Sequence, residues 1–401
     1  MKWLERVFFI GCIAVLAFVS VSEKGFAQEA PGAAAPRAKE SVKKDWFDRL
    51  KLYGDFRLRY QYDKQENDDK GRHRQRIRLR AGIKANVHKT VDIGVRLASG
   101  SDDRRSTNQT FDSAFSTKPI QLDEAYLKFT PEIPYLDTLS LTAGKFTAKK
   151  TFFRPSDLLW DSDTTFEGQT LAIEKKVNDG INLFFNAGMH WVDEIGGDDN
   201  DALMGLIQPG IELDFLEKFS LDLGIAFYTF ANVKGSELFE GGNTTLAEID
   251  LNGDGDTRDA GERPEQLRYD YDCINPAFQF TYKWSKYKAA LFFEYVSNLN
   301  SEPDDRDGFT VGVKFGSKKV KNPLTWEMGV NYRRLEADAF MDLFPDSDAY
   351  GGATNVQGIE IKGKVAIVKN VFLALDYYNM DIIEGGDNVE NLFQIDLSCK
   401  F

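Results

Sequence analysis

The chain has 401 residues, a formal net charge of −13, and 42% hydrophobic and 13% aromatic residues, with Phe alone present 31 times. That apolar content excludes a disordered chain. The acidic balance argues against nucleic acid as a partner, and three cysteines are too few for a disulfide framework.

Lys2 and Arg6 charge the start of the chain, residues 7–21 (VFFIGCIAVLAFVSV) form a short apolar run, and Gly25-Phe26-Ala27 is a small-x-small cleavage site. This is the layout of a secretory signal peptide over 1–27, with the mature chain starting near Gln28. The apolar run is short for a helix that crosses a bilayer. Residues 28–45, rich in Ala, Pro and Lys, read as a flexible periplasmic tether. Residues 46–401 carry a single pattern.

From Leu50 onward, apolar and polar residues alternate with period two, as in strands with one wet face. Leu52, Phe56, Leu58 and Tyr60 share one face; Lys51, Asp55, Arg57 and Arg59 share the other. The pattern predicts about sixteen segments: 50–62, 72–87, 91–100, 119–130, 137–147, 166–177, 180–192, 203–216, 218–232, 267–285, 286–299, 306–317, 322–336, 355–368, 371–383 and 389–401. Each is near the ~10 residues of a membrane β-strand. The segment 137–147 is weakly phased, because Lys145 falls on its apolar side, and Pro276 predicts a bulge or a strand end. Tight connections (88–90, 178–180, 216–218, 285–286, 369–370) alternate with long acidic ones (63–71, 101–118, 148–165, 193–202, 233–266, 300–305, 337–354, 384–388).

The predicted fold class is all-β: a transmembrane antiparallel β-barrel of about sixteen strands with short periplasmic turns and long extracellular loops. A soluble β-sandwich also has alternating strands. Against it, the apolar faces are nearly uninterrupted, and the chain offers no second apolar core layer for so many strands. Tyr60, Tyr62, Trp191, Phe230, Trp284, Tyr332, Tyr377 and Phe401 sit near strand ends, where interfacial aromatic girdles form. The chain stops inside a strand, NLFQIDLSCKF, with Phe393, Ile395, Leu397, Cys399 and Phe401 on one face. A closed barrel pairs that strand with its predecessor and with the first strand, so no edge stays open in lipid.

A terminal strand ending in Phe is similar to the signal read by the machinery that assembles bacterial outer-membrane barrels. More specifically, LDEAYLKFTP at 122–131 followed by LSLTAGKF at 139–146 resembles the putative-porin family, as does DLLWDSDTTFEGQTLAIEK at 157–175. The resemblance spans the mature chain in pattern and is specific over about 120–175. It implies an outer-membrane porin, embedded in lipid and lipopolysaccharide, for passive diffusion of small hydrophilic solutes or ions. General sixteen-stranded porins further imply a homotrimer and a third long loop folded into the barrel, which here is 148–165.

In such a barrel Arg57, Arg59, Arg74, Arg76, Arg78, Arg80, Lys84 and Arg96 stand on one inner wall. They repel one another unless water or carboxylates sit opposite, which is natural in a channel. Asp157, Asp161, Asp163 and the nearby Glu167 are the candidate constriction-loop residues, set against Arg76, Arg78 and Arg80 in a transverse field. The alternative is a loop lying over the mouth with solvated acids. The basic wall also suits an anion-selective, phosphate-like channel, and a non-conducting structural or adhesive barrel is a third reading. In DLNGDGDTRDAGE (250–262), Asp250, Asn252, Asp254 and Asp256 match the first half of an EF-hand loop, but Gly261 takes the twelfth position and no helices flank it. The two readings are a weak calcium site and a flexible acidic loop; no other cofactor is implied. His73, His88 and His190 are the only histidines, with no G-x-S-x-G and no Ser–His or Cys–His motif, so the chain does not read as an enzyme.

Overall fold

The computed structural model describes residues 46–195, 200–251, 257, 259, 261–386 and 388–401; the signal peptide 1–27 and the tether 28–45 lie outside them. Sixteen strands form the wall: β1 (Leu50–Gln65), β2 (Arg72–His88), β3 (Val91–Ser99), β4 (Ile120–Phe129), β5 (Thr138–Thr147), β6 (Thr165–Asn178), β7 (Ile181–Asp193) and β8 (Ala202–Phe215), then β9 (Phe219–Ala231), β10 (Asp272–Trp284), β11 (Tyr287–Asn298), β12 (Asp307–Ser317), β13 (Trp326–Leu335), β14 (Val356–Val368), β15 (Val371–Ile382) and β16 (Glu390–Lys400). Each pairs antiparallel with its sequence neighbours, and β16 pairs with β1 from Asp55↔Lys400 to Gln65↔Glu390. The sheet is therefore a closed barrel, the one β form that satisfies its backbone without water. At the closure Phe401 N donates to Gly54 O (3.1 Å) and Gly54 N donates to Phe401 O (3.0 Å). A Cβ on residue 54 would lie 2.3 Å from the Arg80 carbonyl oxygen and 2.5 Å from the Phe401 ring, so only glycine seats that ring.

Two boundaries differ from the periodicity by more than three residues. The segment 267–285 begins at Asp272, because Gln266–Leu267 pairs with Thr245–Leu246 in a small hairpin inside the long loop. The segment 322–336 begins at Trp326, because Thr325 N donates to Asn322 O and closes a turn. Pro276 cannot donate to the β10–β11 ladder. The Tyr295 carbonyl there is met by Asn275 Nδ2 at 2.7 Å.

Alternation along the strands puts Leu52, Leu58, Leu127, Leu183 and Leu397 on the exposed outer face and Asp55, Arg59, Gln61 and Gln394 inside. At the turn end, outward aromatics of β8 to β13 pack in a chain: Phe215 on Phe219, Phe219 on Tyr282, Tyr282 on Trp284, Trp284 on Phe315 and Phe315 on Trp326. Phe230 corrects the girdle assignment. It points inward, 4% exposed, with its ring centroid 5.6 Å from that of Phe340.

Phe340 belongs to an interior core that strand periodicity does not anticipate. Trp160, 1% exposed, packs on Phe166 (4.9 Å), Phe340 (5.3 Å) and Phe344 (4.8 Å). Met204, Leu206 and Tyr228 supply the wall beneath it. Two loops thus enter the barrel, 148–164 after β5 and 336–355 after β13. They are joined where Asp161 N donates to Phe344 O (2.7 Å) and Ser347 donates from N (2.9 Å) and Oγ (2.8 Å) to the Asp161 carboxylate. Because the chain turns inward after Thr147, β4 and β5 pair only from Ala125↔Lys145 to Phe129↔Leu141. Among the described residues Ile120–Glu124 has no strand partner on that side, and a cavity of about 980 Å³ fills the seam.

Candidate functional site

The interior charges come from neighbouring strands whose inward residues are level with one another. Arg57 sits opposite Arg78 in the β1–β2 ladder, and Arg59 opposite Arg76. Like charges directly opposite destabilise a ladder, so this arrangement requires counter-charge close by. Four aspartates provide it. Arg78 and Arg80 both pair with Asp55 (2.9 and 2.8 Å) and with Asp163 (3.1 and 3.0 Å). Arg59 pairs with Asp348 (3.2 Å) and Asp396 (2.7 Å), and Arg57 with Asp396 (3.3 Å). Four arginines thus face four carboxylates contributed by β1, β16 and both inward loops.

The other arginines and Lys84 are placed separately. Arg74 pairs with Asp63 (2.7 Å), while Arg76 donates to Gln61 Oε1 (3.0 Å). Arg96 bridges Asp123 and Glu124 (2.8 Å to the latter). A bulge opposite Arg96 and Leu97 turns these two consecutive carboxylates inward together. Asp123 lines the seam cavity, and Glu124 lines a second cavity of about 400 Å³ below the 148–164 segment, so the Arg96 clamp separates the two. Lys84 lies 5.3 Å from the Tyr53 ring centroid, and Tyr53 OH donates to Glu124 (2.8 Å).

The four acids at 157–167 take different positions. Asp163 meets Arg78 and Arg80. Asp157 pairs with Arg333 of β13 (2.9 Å), on another part of the wall. Asp161 faces Ser347 rather than an arginine. Glu167 points outward and pairs with Lys145 (2.6 Å), which explains the weak phasing of that segment. Between these points Phe153 exchanges hydrogen bonds with the Gln208 side chain of β8 (2.8 and 2.7 Å), and Pro155 O accepts from Lys314 of β12 (2.9 Å). Contacts to β2, β8, β12 and β13 mean that this segment crosses the lumen.

Its acids differ in electrostatic state. Burial raises Asp163, but Arg78 and Arg80 outweigh it and hold the carboxyl well below its usual range. Burial, then the Asp163 charge, pushes Asp161 up to about 7 against the hydrogen bonds from Asp163 and Ser347. Asp346, in the second loop, is raised by burial and by Asp157, although Arg333 lies 3.2 Å away.

Asp55, Asp346, Asp348 and Trp160 complete the arrangement without having been singled out in the sequence. The available signal was a pair of apolar islands inside polar loops, DLLW at 157–160 and FMDLF at 340–344. Of the calcium-like positions, Asn252, Asp254 and Asp256 lie outside the described residues; Asp250 is described. Glu262 accepts from the Leu251 amide (2.9 Å). The histidines engage neutral partners: His73 with Tyr60 OH (2.8 Å), His88 with Thr90 (2.9 Å), His190 with Thr170 (3.4 Å).

A family model described as putative porin matches residues 61–258 and 262–401. No curated protein matches the sequence. Among solved structures, OprB of Pseudomonas putida at high pH aligns with a TM-score of 0.55 and 11% identity over 88% of this chain and 95% of that one. OmpF of Salmonella typhi, in complex with daunomycin, gives 0.49 and 11% over 88% and 97%. The outer-membrane channel DcaP of Acinetobacter baumannii gives 0.47 and 16% over 88% and 97%.

Proposed function

The chain belongs to the putative-porin family, and from that membership we propose how it works. It is a channel of the bacterial outer membrane for passive diffusion, and its family and fold point to a channel rather than an enzyme. We infer that the segment 148–164 is its constriction. The supporting observation is that Asp163 bridges Arg78 and Arg80 while Asp157 reaches Arg333 elsewhere on the wall. Pairing cancels net charge at that level and leaves a local transverse field. Small polar solutes align in such a field, whereas apolar ones must displace ordered water.

The finer features follow from the same reading. The chain is exported through the periplasm after loss of residues 1–27, with 28–45 as tether, and its terminal Phe strand is recognised by the barrel-assembly machinery. Its outer loops meet lipopolysaccharide, and residues 250–256 hold a weakly bound divalent ion such as calcium. A homotrimer covers the seam, because the outward Lys145–Glu167 pair and the unpaired edge at Ile120–Glu124 are unsuited to hydrocarbon. Lys145→Glu, which sets two carboxylates side by side there, should then yield monomers by light scattering. An unchanged trimer or a monomeric parent would refute that interface.

Planar-bilayer recording of the folded protein tests the channel. Stepwise conductance that rises in Asp157→Asn/Asp163→Asn supports the constriction. Absence of conductance would favour the structural or adhesive barrel.

A further inference from the structure

The pairing of the arginines leaves a different set of cations unmatched. Lys364 of β14 and Lys400 of β16 both face inward near the turn end and flank one ring. The Lys364 Nζ lies 4.5 Å and the Lys400 Nζ 5.8 Å from the Phe372 centroid, which keeps the two ammonium groups within about one Debye length of each other at moderate salt. Lys149, at the start of the inward segment, is close enough to repel both. Among the described residues none of the three has an ion-pair partner. The acids around them are already engaged: Asp55, opposite Lys400 in the β16–β1 ladder, with Arg78 and Arg80; Glu327, opposite Lys364, with Lys288 (2.9 Å); Asp396 with Arg57 and Arg59; and Asp157 and Asp163, on the side of Lys149, with Arg333 and with Arg78 and Arg80. Ser398, opposite Phe372 in the β15–β16 ladder, shares the inward face with Lys400 and adds a hydroxyl donor. Three mutually repelling ammonium groups in a lumen are stabilised by an anion between them.

We propose that Lys149, Lys364 and Lys400, with Ser398, form a binding site for the oxyanion group of a passing solute, a phosphate or a carboxylate, just below the constriction. This rests on the channel reading and moves control of ion preference from Arg57–Arg80 to the lysines. Arg57, Arg59, Arg78 and Arg80 position the constriction, because their charge is cancelled where it stands. The lysines act on the solute, because theirs is not.

The test is single-channel recording on the full chain under a KCl gradient, comparing wild type with Lys364→Gln/Lys400→Gln, each first shown to run as a folded, heat-modifiable barrel. Wild type should prefer chloride. Each lysine removed should lower the anion-to-cation permeability ratio roughly tenfold, because one unit charge acting at about 6 Å through water favours the anion and disfavours the cation by a Boltzmann factor of about three each. Added inorganic phosphate or succinate should reduce the wild-type chloride current, and more of either should be needed in the double variant. Block by phosphate alone identifies a phosphate-bearing solute, and block by succinate alone a carboxylate. A conducting protein whose ion preference and anion block are unchanged in the double variant overturns the site and leaves the channel standing. A folded wild type that does not conduct overturns the channel reading and the site with it.

Discussion

Asp163→Asn removes one negative charge from a place where charges are matched. Arg57, Arg59, Arg78 and Arg80 face Asp55, Asp163, Asp348 and Asp396, so the variant leaves one positive charge uncancelled. The segment itself should stay in the lumen, because Asp157 remains on Arg333 and Trp160 remains in its aromatic cage. A unit charge at about 6 Å from a passing ion is worth about 0.7 kcal/mol through water and about 3 kcal/mol at an effective dielectric of about 20. Chloride-over-potassium preference should therefore rise roughly tenfold or more, since the charge acts with opposite sign on the two ions. Loss of the charge-assisted contacts to two guanidinium groups should also destabilise the fold by about 2–3 kcal/mol. The zero-current potential under a KCl gradient reads the first effect, and the temperature at which the barrel loses its compact gel mobility reads the second. An Asp163→Asn protein with wild-type ion preference and conductance would refute the claim that the bridge lines the path.

Trp160→Ala should cost about 3–5 kcal/mol of local packing, free both inward segments and raise conductance; unchanged conductance would show that neither segment narrows the lumen. Asp161 gives a pH dependence. Its folded value is raised to about 7 from an ordinary 3.8, so the folded state binds more protons between those limits, and the stabilisation is greatest at low pH and lost as pH rises through about 7. Conductance should be higher at pH 8 than at pH 5, and flat in Asp161→Asn. Asp163 and Asp348, held low, contribute above their ordinary values and lose that contribution in acid, outside this window. Gly54→Val should displace the Phe401 ring and strain the closing pair by about 1–3 kcal/mol, seen as a lower yield of heat-modifiable barrel on refolding.

The barrel itself was legible in the sequence, because a strand that faces lipid on one side and water on the other must alternate residue by residue. That alternation also assigned inner and outer faces, down to Lys145 as the residue out of phase. The alternation of turns and loops gave connectivity, since neighbouring antiparallel strands need only short connections at one end. Loops carry no such period, so their path was not legible. Asp157, Asp161, Asp163 and Glu167 lie close together along the chain, yet they reach Arg333, Ser347, Arg78 with Arg80, and Lys145. Which acid meets which base depends on where Trp160 finds its cage, and that cage is built from residues nearly 200 positions apart in sequence. Charge counts along strands identified a basic wall. Only the tertiary structure decided that Arg57, Arg59, Arg78 and Arg80 are cancelled while Lys149, Lys364 and Lys400 are not, because a charge's effect depends on its partners in space, and alternation reports only the face on which it stands.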